Sequence, residues 1–215
     1  RAFITKQGTS GKEQAPGTAD NAVYAPNGTP EQGTSKYGTS LFMYSISAPT
    51  LLLSYHELKF LEAEALCRLE RDAKSALKDA VVAGLLNAEN SFTISRKELG
   101  KTLINAASSI TEAEAESYFD NTIEAKYTAE PLKTTMTQKY FALWGASGEA
   151  TESYNDVRRM KGLGENFIEL KNPNSFPLRC PYGNSDTTTN AEVKAAYGNG
   201  QYVYSENVWW AGGSR

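Results

Sequence analysis

Ser54-Tyr55-His56-Glu57-Leu58-Lys59-Phe60-Leu61-Glu62-Ala63-Glu64-Ala65-Leu66-Cys67-Arg68-Leu69 is the stretch on which the reading of this chain turns. Leu58, Leu61, Ala65, Leu66 and Leu69 recur at three- and four-residue spacing, which predicts a helix with one apolar face. Ala73, Ala76, Leu77, Ala80, Val81, Gly84, Leu85 and Ala88 repeat the pattern. Only Glu70 to Asp72 lie between the two segments, so they should form an antiparallel hairpin. The small side chains of Ala73, Ala76, Ala80 and Gly84 would let the second helix approach the first closely, as helix pairs of tetratricopeptide type do. This is a packing unit and carries no catalytic pattern.

Working outward toward the C-terminus, Asn87-Ala88-Glu89-Asn90 should break the second helix, and Ser95 to Ala107 reads as a shorter one. Thr111-Glu112-Ala113-Glu114 is a capping box: the threonine hydroxyl accepts from the amide three residues on, and Glu114 reaches back. The helix it opens carries Ala115, Tyr118, Phe119, Thr122 and Ile123 on one side and should end near Ala125 or Lys126. Pro131 suits the first position of another helix, where its missing donor is not needed. That helix places Leu132, Met136, Tyr140, Leu143 and Trp144 on one face, with Gly145 as its terminator. The predicted fold class is mostly α: helical hairpins in series, with long irregular loops.

A last helix should present Tyr154, Val157 and Met160 on one side and Asp156, Arg158 and Arg159 on another. An arginine pair beside a carboxylate makes bidentate ion pairs, here read as pinning the C-terminal segment to the helices. Pro177, Pro181 and Tyr182 suggest a rigid crossing segment. Trp209 and Trp210 are expected to be buried, and Gly212 to Arg215 to fray.

Composition narrows the function classes. The chain has 215 residues, 40% of them hydrophobic, and a net charge of -3, so it can bury a core but offers no basic surface for nucleic acid. It has no apolar run long enough to span a bilayer. Its single histidine, His56, and two cysteines, Cys67 and Cys180, form no metal-ligand pattern and imply no cofactor. A disulfide would require the fold to bring the two cysteines together; a small buried thiol at Cys67 is the preferred reading. Glu57, Glu62, Glu64, Glu112, Glu114 and Glu116 fall opposite the apolar stripes, where solvated carboxylates are expected, and no nucleophile and base stand together. The chain is not expected to be an enzyme.

Residues 7 to 40 are poor in Leu, Ile and Val and rich in Gly, Thr, Asn and Pro, so they should form a long loop. Gly8-Thr9-Ser10-Gly11-Lys12-Glu13 is too short for a phosphate-binding loop, and Asn27-Gly28-Thr29 fits the glycosylation sequon on a pattern short enough to arise by chance. Tyr24 and Tyr37 stand out in this polar setting. An exposed ring stacks on the apolar face of a sugar while Asn and Thr groups bond its hydroxyls, so these two are the candidate ligand-binding residues. The competing reading is that they anchor the loop to the helices.

Several segments resemble the SusD/RagB family of nutrient-binding outer-membrane lipoproteins, in the family's own order. These are Tyr55 to Ala65, Gln138 to Trp144, Glu149-Ala150 with Asn155 to Arg159, Phe176 to Arg179 with Pro181-Tyr182, Asn184 to Asp186 and Asn190, and Val208 to Trp210. Tyr154 stands near where that family often has tryptophan, Cys180 replaces a frequent arginine or bulky residue, and Asp186 replaces glutamate. The resemblance implies the family's C-terminal half. It also implies a lipid-anchored protein on the outer surface of the cell outer membrane, which delivers a glycan or other nutrient to a SusC-type TonB-dependent transporter. The anchor and the N-terminal half would lie in sequence absent from this chain, which opens at Arg1 without an initiator Met or apolar leader. The expected organisation is a polar Gly/Thr-rich loop region over residues 1–45, a hairpin scaffold over 46–145, and a C-terminal helix with irregular loops over 146–215, all one structural unit. The alternative is a helical-repeat scaffold that binds proteins and no sugar.

Overall fold

The protein is described by a computed structural model covering residues 49–98, 109–145, 148–169, 176–200 and 202–213. Its contacts group these into two compact units divided between Glu169 and Leu170. Among the described residues the secondary structure is helical throughout, without strands. The first unit holds α1 (Tyr55–Arg68), α2 (Lys74–Glu98), α3 (Glu112–Tyr118), a π-helical turn (Phe119–Ile123), α4 (Glu124–Ala129), α5 (Pro131–Ala142) and α6 (Ala150–Gly162). The second holds α7 (Asn184–Thr189), α8 (Ala191–Tyr197) and a 3-10 turn (Trp209–Ala211).

α1 and α2 form the expected hairpin, and the α2 stripe supplies much of the core: Ala73, Ala76, Leu77, Ala80 and Val81 are buried with Phe60 and Ala63 of α1. A Cβ added at Gly84 would lie 3.4 Å from the Ala142 Cβ of α5, so this glycine marks a close three-helix approach. The turn after α1 is a Schellman motif: Arg71 N–H donates to the Leu66 carbonyl at 2.9 Å and Glu70 N–H to the Cys67 carbonyl at 3.1 Å. Glu70 takes the left-handed conformation there, with φ of 54°. The motif closing α6 has the same bonds, from Glu165 to Met160 and from Gly164 to Lys161, with Gly164 in the equivalent position.

The face of α1 that turns inward is not the one predicted. Leu58 and Leu69 are 51% and 63% exposed, and Leu61 and Ala65 also face outward. The buried residues are instead His56, Glu57, Phe60, Ala63 and Glu64. The helix is apolar on two sides, and the core takes the side carrying Phe60 because its polar members find charged or hydrogen-bonding partners, described below. Glu57 and Glu64 are therefore not solvated, whereas Glu62, Glu112, Glu114 and Glu116 are exposed as expected.

α2 runs through Asn87 to Asn90 without breaking and reaches Glu98, absorbing the start of the separate helix expected from Ser95. The rest of that expectation falls on residues 99–107, which lie outside the described residues. The capping box at Thr111 and Glu114 has both of its bonds. The helix it opens does not stop at Ala125 or Lys126 but continues to Ala129 through the π turn. Ala115, Phe119, Ile123 and Tyr127 all reach the interior at four-residue intervals. An α-helix drifts round its axis at that spacing, and the wider π turn restores the phase. Tyr118 is consequently left on the surface. Tyr127 Oη donates to Asp72 and accepts from Ala73 N–H at 2.8 Å, tying α4 to the start of α2.

Pro131 occupies the first turn of α5, and Gly145 has the positive φ of a terminator. Met136 and Leu143 are buried as expected, but Trp144 is 48% exposed. The helix ends before it, with Leu143 as the C-cap and last core residue. Lys139, which no stripe includes, is buried.

In the second unit Leu178 N–H donates to the Val203 carbonyl and Tyr182 N–H to that of Gly200. Asn190 caps α8 by accepting from Glu192 and Val193. Trp209 and Trp210 are 74% and 62% exposed, against the expectation of burial: the short 3-10 turn holds both rings on its outer side. Cys67 and Cys180 are both free thiols, Cys67 half-buried and 3.6 Å from Thr135 Oγ1.

Candidate functional site

The buried Glu64, Asp156 and Lys139 anchor one connected system of charged side chains in the first unit. It runs as a ladder of alternating charge, Glu165, Arg68, Glu64, Arg159, Asp156 and Lys139. Arg68 grips Glu165 with two bonds of 2.9 and 3.0 Å and donates from Nε to Glu64 at 2.7 Å. Arg159 grips the same Glu64 through both terminal nitrogens, the second at 2.8 Å. It also donates to Asp156 at 2.8 Å, whose other oxygen pairs with Lys139 at 2.8 Å. Three helices, α1, α5 and α6, are thus joined by charge-assisted bonds, the stronger class of hydrogen bond.

Local sequence places each member. Glu64 and Arg68 stand one turn apart on α1, and Asp156 and Arg159 one turn apart on α6, so each helix orients its own arginine before the helices meet. Burial pushes the Glu64 carboxyl up, but the hydrogen bonds from Arg159 and Arg68 outweigh it and hold the group below the ordinary glutamate value.

At its far end the ladder meets a second cluster. Ser54 caps α1 by accepting from Glu57 N–H, its hydroxyl lies 3.2 Å from His56 Nε2, and its own N–H donates to Glu149 Oε1. Glu149, the residue that opens α6, is wholly buried, and its Oε2 lies 3.8 Å from His56 Nε2, beyond hydrogen-bonding reach. Burial first, and then the neighbouring Glu149 carboxyl, push the Glu57 carboxyl up to about 7, with Lys139 acting the other way. Burial lowers His56 below its usual value, against the pull of Glu149.

Chemically, this arrangement fastens helices. Cleaving a glycoside takes two carboxyls about 5 to 10 Å apart, flanking the sugar. Glu57 and Glu149 are both buried, so neither is open to a sugar ring. Among the described residues no group of three or more His, Cys, Asp or Glu side chains is placed to hold a metal ion. Likewise no described helix is long and apolar enough to cross a membrane.

Of the residues expected to matter, Asp156 and Arg159 join the ladder, which ties α6 to α1 and α5. Arg158 lies 5.4 Å over the ring of Tyr154. Tyr24 and Tyr37, the candidate ligand-binding residues, fall outside the described residues, as do the two motif-like strings near them. The second unit adds a stack that sequence reading did not isolate: Arg179 lies 4.7 Å over Tyr182, which stacks on Tyr197 at 4.3 Å.

Helices paired into hairpins around a small-residue α2 stripe define a helical scaffold of tetratricopeptide-like type. A crystal structure of a SusD/RagB family protein from Bacteroides thetaiotaomicron VPI-5482 is 70% identical to the chain, with a TM-score of 0.79 over 90% of it. Over that shared segment the chain belongs to the SusD/RagB family. The chain spans 42% of the length of that solved relative. No family model and no curated protein matches it.

Proposed function

We propose that this chain is part of a cell-surface nutrient-binding protein, lipid-anchored in the outer membrane, that captures a glycan and passes it to a SusC-type TonB-dependent transporter. The observation that carries the reading is the 70% identity and common fold with a SusD/RagB family protein over 90% of the chain. The ordered motifs from Tyr55 to Trp210 support it independently. In this reading the helical unit is scaffold, and the ligand contacts come from loops, where binding residues concentrate. Tyr24 and Tyr37 are the proposed contacts within this chain, and the remainder of a longer chain supplies the anchor and further loops. The three-part organisation over residues 1–45, 46–145 and 146–215 belongs to the same reading.

A protein-binding scaffold without sugar affinity is the second reading. The outward side of α1 favours it, because Tyr55, Leu58, Leu61 and Leu69 make an apolar strip on one exposed helix face. Glycan-array binding paired with co-purification of a SusC-type transporter separates the two. Glycan retention together with transporter recovery supports nutrient capture; protein partners with no glycan signal on any array support the scaffold.

A further inference from the structure

The turn that carries Trp209 and Trp210 is fastened from behind. The Val208 carbonyl accepts from Ala211 N–H at 2.9 Å and from Gly213 N–H at 3.0 Å, and the Trp209 carbonyl accepts from Gly212 N–H at 3.1 Å. Gly212 takes the left-handed conformation, with φ of 87°, and a Cβ added at Gly213 would lie 1.9 Å from the Asn207 carbonyl oxygen. Both positions need glycine for the chain to close behind the tryptophans. The backbone of the pair is thus fixed while its rings face water, and Trp209 is the most exposed aromatic side chain among the described residues.

Holding two indoles in water forfeits the largest burial any side chain offers, so their place on a bonded turn calls for an occupant. Consecutive residues of a 3-10 turn point about 120° apart, so the rings offer two separate faces and not one stack. Their setting is polar. From Tyr204 to Gly213 the only aliphatic side chain larger than alanine is that of Val208, and Ser205 and Asn207 are exposed. The α1 strip of Tyr55, Leu58, Leu61 and Leu69 is the contrasting case, a leucine-rich surface of the kind that meets protein. Flat rings set among amide and hydroxyl groups match a sugar instead, whose ring carries C–H groups on its face and hydroxyls at its edge. No residue from Tyr204 to Gly213 is cationic, which favours a neutral sugar over an acidic one.

We propose that Trp209 and Trp210 form a glycan contact of the second unit, each indole taking one pyranose ring of a neutral polysaccharide while Ser205 and Asn207 bond hydroxyls at the ring edges. The contact rests on the nutrient-capture reading and is independent of Tyr24 and Tyr37. A tryptophan turns about only two side-chain bonds, and on a fixed turn it loses little freedom when a sugar lands on it.

Affinity-gel electrophoresis in gels holding galactomannan, arabinoxylan, mixed-linkage β-glucan or amylopectin tests this. At least one gel should retard the parent chain, and the Trp209→Ala, Trp210→Ala double variant should be retarded about tenfold less in that gel. A Trp209→Phe, Trp210→Phe double variant keeps a ring at each place and should stay within about threefold of the parent. The chain has three tryptophans, so in a Trp144→Phe background the emission comes from Trp209 and Trp210 alone and should shift to the blue when the retarding polysaccharide is added. That measurement decides the matter if the alanine variant does not fold, and an unshifted emission overturns the proposal. Retardation of the alanine variant equal to the parent's overturns this contact and leaves nutrient capture standing. Equal losses in the alanine and phenylalanine variants overturn the stacking. No retardation of the parent in any of the four gels overturns the contact and glycan capture together.

Discussion

Glu64 of α1 accepts a two-pronged grip from Arg159 of α6, ninety-five residues further along the chain, while Arg68 holds the same carboxylate from its own helix. A buried carboxylate with two guanidinium partners is stable only while both remain. Replacing it leaves two arginines facing a cavity, partly relieved by their access to water. Glu64→Ala should therefore lower stability by about 2–3 kcal/mol, read from urea denaturation. The pH dependence has a definite sign: a depressed carboxyl contributes fully above the unfolded glutamate value near 4.5 and loses its contribution as pH falls through the folded one. The parent chain should soften in acid more steeply than Glu64→Gln, and parallel acid profiles would remove Glu64 from the stabilising core.

The inward face of α1 is tested by a pair of substitutions. Phe60 is fully buried and Leu58 is half exposed, although both read as apolar positions on one helix. Phe60→Ala should cost about 3–5 kcal/mol, and Leu58→Gln should change stability by no more than about 0.5 kcal/mol. Thermal melts of the two variants decide the matter; the reverse order would restore the leucine stripe to the core.

Glu70 pays the left-handed strain that Gly164 avoids at the matching turn. Glu70→Gly should stabilise the hairpin by about 0.5–1 kcal/mol, because a side chain with a Cβ is disfavoured at that φ. A lower melting temperature for this variant would show that the Schellman turn is held by something other than its backbone bonds.

What the sequence discloses here follows from how local the cause is. The α2 stripe, the Thr111 capping box, Pro131 and Gly145 each act within one or two turns, and each was legible. The face of α1 was not, because Leu58, Leu61, Ala65 and Leu69 repeat as regularly as Phe60, Ala63 and Cys67. The deciding partner of Glu64, Arg159, sits on α6, remote in sequence. Two local signals for the ladder were present, the i,i+4 pair Glu64–Arg68 and the i,i+3 pair Asp156–Arg159, each a helix arranging its own ion pair. Trp144 misled because periodicity continues in sequence after the helix has stopped. The π turn left no mark beyond core residues spaced every four. Tyr24 and Tyr37 lie outside the described residues, in a stretch whose sequence is polar.

The measurement closest to the central claim is affinity-gel electrophoresis of the chain in gels containing polysaccharides, run beside a Tyr24→Ala, Tyr37→Ala double variant. At least one polysaccharide should retard the parent chain, and the double variant should be retarded about tenfold less, with its helical circular dichroism unchanged. Equal retardation of both would place the ligand contacts elsewhere. No retardation in any polysaccharide that an array identifies as a family ligand would contradict glycan capture by this chain.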